Sequence, residues 1–205
     1  MAQRSRLHVP HPPARPGDKP DFGYVSLTPA GAVARPDAKA PARELESLGR
    51  QMVRVLDDDG RAQGPWNPHL EPQELQVALR HMLLTRLLDE RMQRMQRQGR
   101  ISFYMKSTGE EAVSVAQGMA LQPGDMLFPS YRNQGLFIVR GRSLVDLMCQ
   151  CLSNTRDMCR GRQMPIMYHW GAGNIFSISG NLATQFPQAV GWAMAAAMRP
   201  SPSAF

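Results

Sequence analysis

GRQMPIMYHWGAGNIFSISGNLATQFPQAVGWAMAAA, residues 161–197, places a polar, glycine-studded loop directly before a helix made largely of small residues. Ser177, Ser179, Gly180 and Asn181 carry turn chemistry and offer a choice of N-cap, so a helix is expected to begin near Leu182. The N-terminus of such a helix turns free N–H groups and a partial positive charge back onto the loop, a combination that attracts phosphates and other anions. Thr184 and Gln185 then set side-chain oxygens beside the carbonyls of the Ser179–Asn181 turn. A cluster of neutral oxygens suits a hard, weakly charged cation better than zinc or iron. Gly191, Ala193, Ala195, Ala196 and Ala197 keep the helix thinly clothed, which permits close approach of another backbone. An ordinary capped core helix after a loop accounts for the same spacing, and the local pattern alone favours that simpler reading.

Outward from this stretch, the chain has 205 residues, 42% of them hydrophobic and 20% charged, enough for one domain with a sizeable core or a smaller domain plus an arm. It carries no apolar run of spanning length and no apolar signal core in residues 1–20, and a cytoplasmic protein that avoids membranes is expected. Cys149, Cys151 and Cys159 lack paired metal-site spacing and are odd in number, which argues for reduced thiols, the first two near a helix end. The net charge of +7 permits nucleic-acid binding. However, the arginines are spread along the chain, and the one dense set, Arg86, Arg91, Arg94, Arg97 and Arg100, reads as the solvated face of a long helix. A nucleic-acid partner is therefore not expected.

Residues 1–45 are rich in proline, which removes backbone donors and disfavours helix at the preceding residue, and they read as an extended arm anchored by Phe22, Tyr24, Val25 and Leu27. QMVRVL, 51–56, is a short strand or a helical turn ending at DDDGR, and Trp66 in the following loop is expected to sit in a pocket. Pro72 fits the first turn of a helix whose stripe runs through Leu75, Leu79, Met82, Leu83, Leu87 and Met92 to a stop at Gly99. A second helix follows ISFYM, with capping-box spacing from Ser107 to Glu110 or from Thr108 to Glu111 and a buried side of Ala112, Val115, Ala116 and Met119. The helix dipole accounts for the two glutamates more simply than acid–base chemistry does. MLFP, 126–129, reads as a short buried strand, SYRNQG as the opening of the next helix, and LVDLMCQCL after Ser143 as another. At the strand-to-helix junction Arg132 is placed to clamp a phosphate and Tyr131 to donate a hydrogen bond. The five histidines are isolated, so no histidine-centred metal site or catalytic triad is expected.

LHVPHPPARPGDKPDF, RVLDDDG, GPWNPHL, QRQGRISFYM, GEEA, GDMLFPSYR, SNTRDM, GRQMP and ISGNLATQFPQAVGWAMA resemble, over nearly the whole chain, the α subunit of the bacterial branched-chain 2-oxo acid dehydrogenase. The resemblance implies an α/β fold, the N-terminal part of a transketolase-type thiamine-diphosphate-binding fold that is mostly helical in the part present. It divides the chain into an arm over 1–45, a partial cofactor-binding domain over 46–198 and an unrelated tail over 199–205. It implies cofactor contacts at Tyr131, Arg132, Gly180 and Leu182, with only backbone contact assumed at Gly180. A potassium site is implied at Ser179, Asn181, Thr184 and Gln185, the second through its carbonyl.

The implied assembly is α2β2, working with a lipoyl-bearing acyltransferase core on small 2-oxo acids derived from Val, Leu and Ile. Its activating glutamate belongs to the β subunit, so no catalytic residue is expected here. The GDG…N segment that holds Mg2+ in the family has no counterpart before MRPSPSAF, and a truncated or frameshifted subunit, inactive alone, is expected. The alternatives are a non-catalytic remnant that only associates with partner subunits, and the α subunit of a pyruvate or acetoin dehydrogenase.

Overall fold

The computed structural model describes residues 17–19, 23 and 26–199. Two compact units divide the chain at His69 and Leu70. The anchors Phe22, Tyr24 and Val25 lie outside the described residues, as does the expected tail apart from Arg199; Leu27 is exposed.

The first unit contains α1, Ala42–Leu45, and a 3-10 turn, Glu46–Arg50. QMVRVL is extended, with one antiparallel bridge from Leu56 to Ala62. The reversal between them is closed by Asp57, whose Oδ1 accepts the N–H groups of Asp59 and Arg61 at 3.0 and 2.8 Å. The Arg61 N–H is the main reason the Asp57 carboxyl sits below its ordinary pKa. Gly31 donates to the Arg54 carbonyl at 2.8 Å and crosses Gly64 so closely that a Cβ on Gly64 would lie 2.3 Å from the Gly31 Cα. Trp66 is half-buried with the Arg35 guanidinium 5.7 Å from its ring centre, a cation–π contact.

The second unit is built on α2, Pro72–Arg97. Pro72 stands in its first turn, and Glu71 and Glu74 close the reciprocal capping box at its start. Its end is a Schellman motif: Arg100 N–H donates to the Met95 carbonyl at 3.0 Å and Gly99 N–H to Gln96 at 2.9 Å, with Gly99 left-handed at φ 69°. About 40 Å of helix results.

Of the expected stripe Met92 is buried and Met82 half-buried, but its leucines do not lie on the buried face. Leu75, Leu79, Leu83 and Leu87 are 53–60% exposed, and Thr85, Leu88, Asp89, Met92 and Met95 are buried. That face wins because α3, Glu111–Ala120, and α4, Gln134–Val139, pack there and donors from the intervening loop satisfy Asp89. Gly118 makes the close approach of α3 and α4 possible, since a Cβ there would stand 2.9 Å from the Val139 Cβ. The capping-box spacing before α3 is not used: Glu110 is the N-cap with no side-chain cap, and the Ser107 hydroxyl turns instead to Asp89.

α5, Leu144–Cys151, follows Ser143 as expected and buries Leu147, Cys149, Gln150 and Cys151. Among the described residues the unit is helical with no extended ladder of strands. MLFP contributes one parallel bridge from Leu127 to Ile175, with Leu127 N–H on the Asn174 carbonyl at 2.8 Å and Phe176 N–H on the Leu127 carbonyl at 2.9 Å. The core gathers Leu88, Met92, Leu136, Phe137, Ile166 and Ile175 among others.

α6, Gln185–Ala197, begins three residues later than its sequence suggests, because Ala183 adopts a left-handed φ of 63° that no helix can include. It buries no residue. Leu182, Phe186, Val190, Met194 and Met198 form an exposed apolar row, so the small residues are not used for close packing within the described residues.

Candidate functional site

A buried carboxylate organises the approach to the site. Asp89, fully buried on α2, accepts the Tyr104 hydroxyl at 2.7 Å, the Ser107 N–H at 2.7 Å and the Ser107 hydroxyl at 2.9 Å. Burial nonetheless raises its pKa, outweighing the hydrogen bonds that favour the anion. Four residues after Ser107, Glu111 accepts the Gly109 N–H at 2.8 Å and the Arg86 Nε–H at 2.5 Å. The hydrogen bond from Arg86 is the leading cause of the depressed Glu111 pKa. These two carboxylates hold the segment from Tyr104 to Glu111 at Tyr104, Ser107 and Gly109.

The loop supports Arg132. The Arg132 Nε lies 3.1 Å from Glu110 Oε1, its Nη1 lies 3.9 Å from the Met105 sulfur, and its Cζ stands 5.4 Å from the centre of the Tyr131 ring. Tyr131 packs its ring against the core, and both side chains remain partly open. Ahead of them Asn133 accepts the Ser130 N–H at 2.7 Å and hydroxyl at 2.9 Å, and donates to the Ser114 hydroxyl at 3.1 Å. These bonds close the turn that carries Tyr131 and Arg132.

Ser179, Asn181, Thr184 and Gln185 form one knot of oxygens. Thr184 Oγ1 donates to the Asn181 carbonyl at 2.9 Å, Asn181 N–H donates to Ser179 Oγ at 3.3 Å, and the two hydroxyls of Ser179 and Thr184 meet at 3.5 Å. The Gln185 amide reaches both the Ser179 carbonyl at 3.5 Å and the Pro129 carbonyl at 3.4 Å. Pro129 immediately precedes the Ser130 turn, so this amide ties the oxygen knot to the segment that carries Tyr131 and Arg132. The donor set fits a potassium-like ion in kind, being neutral hydroxyl, carbonyl and amide oxygens, once the Gln185 amide presents its oxygen. Gly180 is exposed, and a side chain there would meet only the flexible end of Met167, 3.3 Å from a built Cβ. Leu182 is 81% exposed and takes no part in the knot.

The preceding loop is shaped by Gln150, which sequence reading missed. Its Oε1 accepts the Ile166 N–H at 3.0 Å and its Nε2 donates to the Met164 carbonyl at 2.8 Å. Between them Ile166 is fully buried with a left-handed φ of 69°, a costly conformation for a β-branched residue. Gln150 and the Ile166 pocket hold GRQMPIMY in the course that leads to the oxygen knot. No local sequence signal marks Gln150, since its partners lie in another element.

The Gln185 amide thus joins a knot of neutral oxygens to an arginine-bearing turn within one helical unit. Residues 79–204 match the family model described as dehydrogenase E1 component, and residues 3–43 match the one described as 2-oxoisovalerate dehydrogenase E1 alpha subunit N terminal. The chain belongs to the dehydrogenase E1 component family. It is 55% identical to the 2-oxoisovalerate dehydrogenase subunit alpha of Pseudomonas aeruginosa over 95% of this chain and 47% of that protein. It is 42% identical to the mitochondrial subunit alpha 1 of Arabidopsis thaliana, over 71% of this chain and 32% of the relative. Identity to the mitochondrial subunit alpha of Mus musculus is 41%, over 72% and 34% respectively. The chain thus spans about half the bacterial relative and about a third of the other two.

Proposed function

We propose that this chain is the N-terminal, cofactor-holding part of a branched-chain 2-oxo acid dehydrogenase α subunit, a component that decarboxylates 2-oxo acids from Val, Leu and Ile with thiamine diphosphate. The observation that carries this reading is the Gln185 amide on the Pro129 carbonyl, which couples the oxygen knot to the Tyr131–Arg132 turn. On this reading the described residues are part of an α/β transketolase-type fold, to which the parallel Leu127–Ile175 bridge contributes.

Thiamine diphosphate, when bound, supplies the carbon nucleophile that adds to the keto carbon of the 2-oxo acid and accepts the electrons left as carbon dioxide departs. Arg132 meets the negative charge of the diphosphate with a planar, permanently charged donor fork. Tyr131 steadies that fork through a cation–π contact, its ring centre 5.4 Å from the Arg132 Cζ. Gly180 and Leu182 line the cofactor through the backbone and an exposed side chain. Ser179, the Asn181 carbonyl, Thr184 and Gln185 hold K+, which stiffens the turn carrying Gly180. No residue of this chain is assigned to Mg2+, and none is assigned a catalytic proton transfer. The β subunit of an α2β2 assembly, a lipoyl-bearing acyltransferase and a cytoplasmic setting complete the reading. Among the described residues no helix is long and apolar enough to cross a membrane.

Arg132→Ala tests the reading in the chain assembled with its β subunit. A charge-assisted phosphate contact is worth about 1.5–3 kcal/mol, so affinity for thiamine diphosphate should fall roughly tenfold to a hundredfold. Unchanged affinity would remove Arg132 from the diphosphate site.

A further inference from the structure

Two adjacent glutamates at the start of α3 have different fates. Glu111 is locked, with its side chain 5% exposed and both carboxylate oxygens engaged by Arg86 and Gly109. Glu110 is 47% exposed, and among the described residues its carboxylate meets only Arg132. The start of α3 does not need that carboxylate. The Glu110 N–H already donates to the Ser107 carbonyl at 2.8 Å, Ser107 is held by Asp89, and Glu110 makes no side-chain cap.

The guanidinium has little choice of edge. Its Nη1 side faces the Met105 sulfur at 3.9 Å, and its Cζ lies over the Tyr131 ring, 5.4 Å from the centre. The Nε edge remains, and Glu110 Oε1 occupies it at 3.1 Å. A phosphoryl group that takes Arg132 side-on, through the parallel Nε and Nη2 donors, therefore displaces Glu110 from Nε. Its negative charge would otherwise share the site with a carboxylate a few ångströms away.

We propose that Glu110 is an exchangeable stand-in anion that parks Arg132 and is expelled when a diphosphate binds, so that it sets the affinity and salt sensitivity of the site. This deepens the reading of Arg132 given above and rests on it. The glutamate is free to leave: at half exposure its carboxylate regains water as soon as it swings away, and it recovers rotamer freedom.

The test is calorimetric titration of inorganic pyrophosphate into the full chain and its Glu110→Gln, Glu110→Asp and Arg132→Ala variants, at low and high ionic strength. Glu110→Gln should bind pyrophosphate about two- to fivefold tighter than the wild type, the range an exposed ion pair is worth. The gain should shrink as salt screens the pair, and Glu110→Asp should stay near the wild type. Equal or weaker binding by Glu110→Gln, absence of binding in both included, overturns the proposal, as does a gain that salt leaves untouched. If Arg132→Ala binds as well as the wild type, the clamp itself fails. If it weakens binding while Glu110→Gln changes nothing, only the role of Glu110 falls.

Discussion

Replacing Asp89 separates a hydrogen-bond hub from a buried charge. Asp89→Ala strips the partners from the Tyr104 hydroxyl and the Ser107 N–H, both buried and fixed in place, whereas the Ser107 hydroxyl can rotate to another acceptor. Two stranded donors at about 1–3 kcal/mol each give roughly 2–6 kcal/mol. Removing a carboxylate whose raised pKa reports a desolvation cost offsets part of this, leaving an expected loss of about 2–4 kcal/mol. That is a large share of the roughly 5–15 kcal/mol by which domains are stable. Asp89→Asn keeps an acceptor for Ser107 and turns an N–H2 toward the Tyr104 oxygen, which can accept, so it should cost about 1 kcal/mol. Urea unfolding followed by helical circular dichroism, at matched slope, gives both numbers. The reasoning is refuted if Asp89→Ala lies within the error of the wild type, or if Asp89→Asn is the more damaging change.

Three further outcomes follow from the same packing. Gln150→Leu should cost about 2–4 kcal/mol in urea unfolding, because the Ile166 N–H and the Met164 carbonyl lose their buried partner together. Gly118→Ala should lower stability by about 1–3 kcal/mol, since its methyl group would stand 2.9 Å from the Val139 Cβ, and a compensating Val139→Ala should restore part of the loss. Burial raises the pKa of Cys151, Tyr104 and Tyr168 above ordinary values of 9.0 and 10.0, so the folded chain keeps protons that the unfolded chain releases. Their contribution to stability is complete below about pH 8 and declines as pH rises past the ordinary values, so the urea midpoint should fall steadily above about pH 8, with the tyrosinate absorbance of Tyr104 and Tyr168 appearing only on unfolding.

Helix boundaries were legible where a residue acts through its own backbone. Pro72 starts α2, left-handed Gly99 ends it, and Ser143 precedes α5, each by a local rule. The buried face of α2 was not legible, because Thr85 is satisfied by its own helix, its hydroxyl donating to the His81 carbonyl, and Asp89 is tolerated inside only through donors from the 104–107 segment. Ala183 hid the true start of α6, since nothing in an alanine announces a left-handed φ. MLFP reads as a strand from its apolar residues, yet it makes one bridge, Leu127 to Ile175, because pairing depends on partners that lie elsewhere in the chain. For the site, the oxygen knot was visible because its members are sequence neighbours. Glu110 as the partner of Arg132, and Gln150 as the clamp on Ile166, depend on contacts between distant elements and left no trace in spacing.

Whether this chain builds a thiamine diphosphate site is the central question. Calorimetric titration of thiamine diphosphate, with Mg2+ and K+ present, into the chain co-expressed with its β subunit measures that. Micromolar binding that weakens when Na+ replaces K+ is the expected result. No binding, alongside a full-length α subunit that binds under the same conditions, would contradict it and leave association with partner subunits as the chain's function.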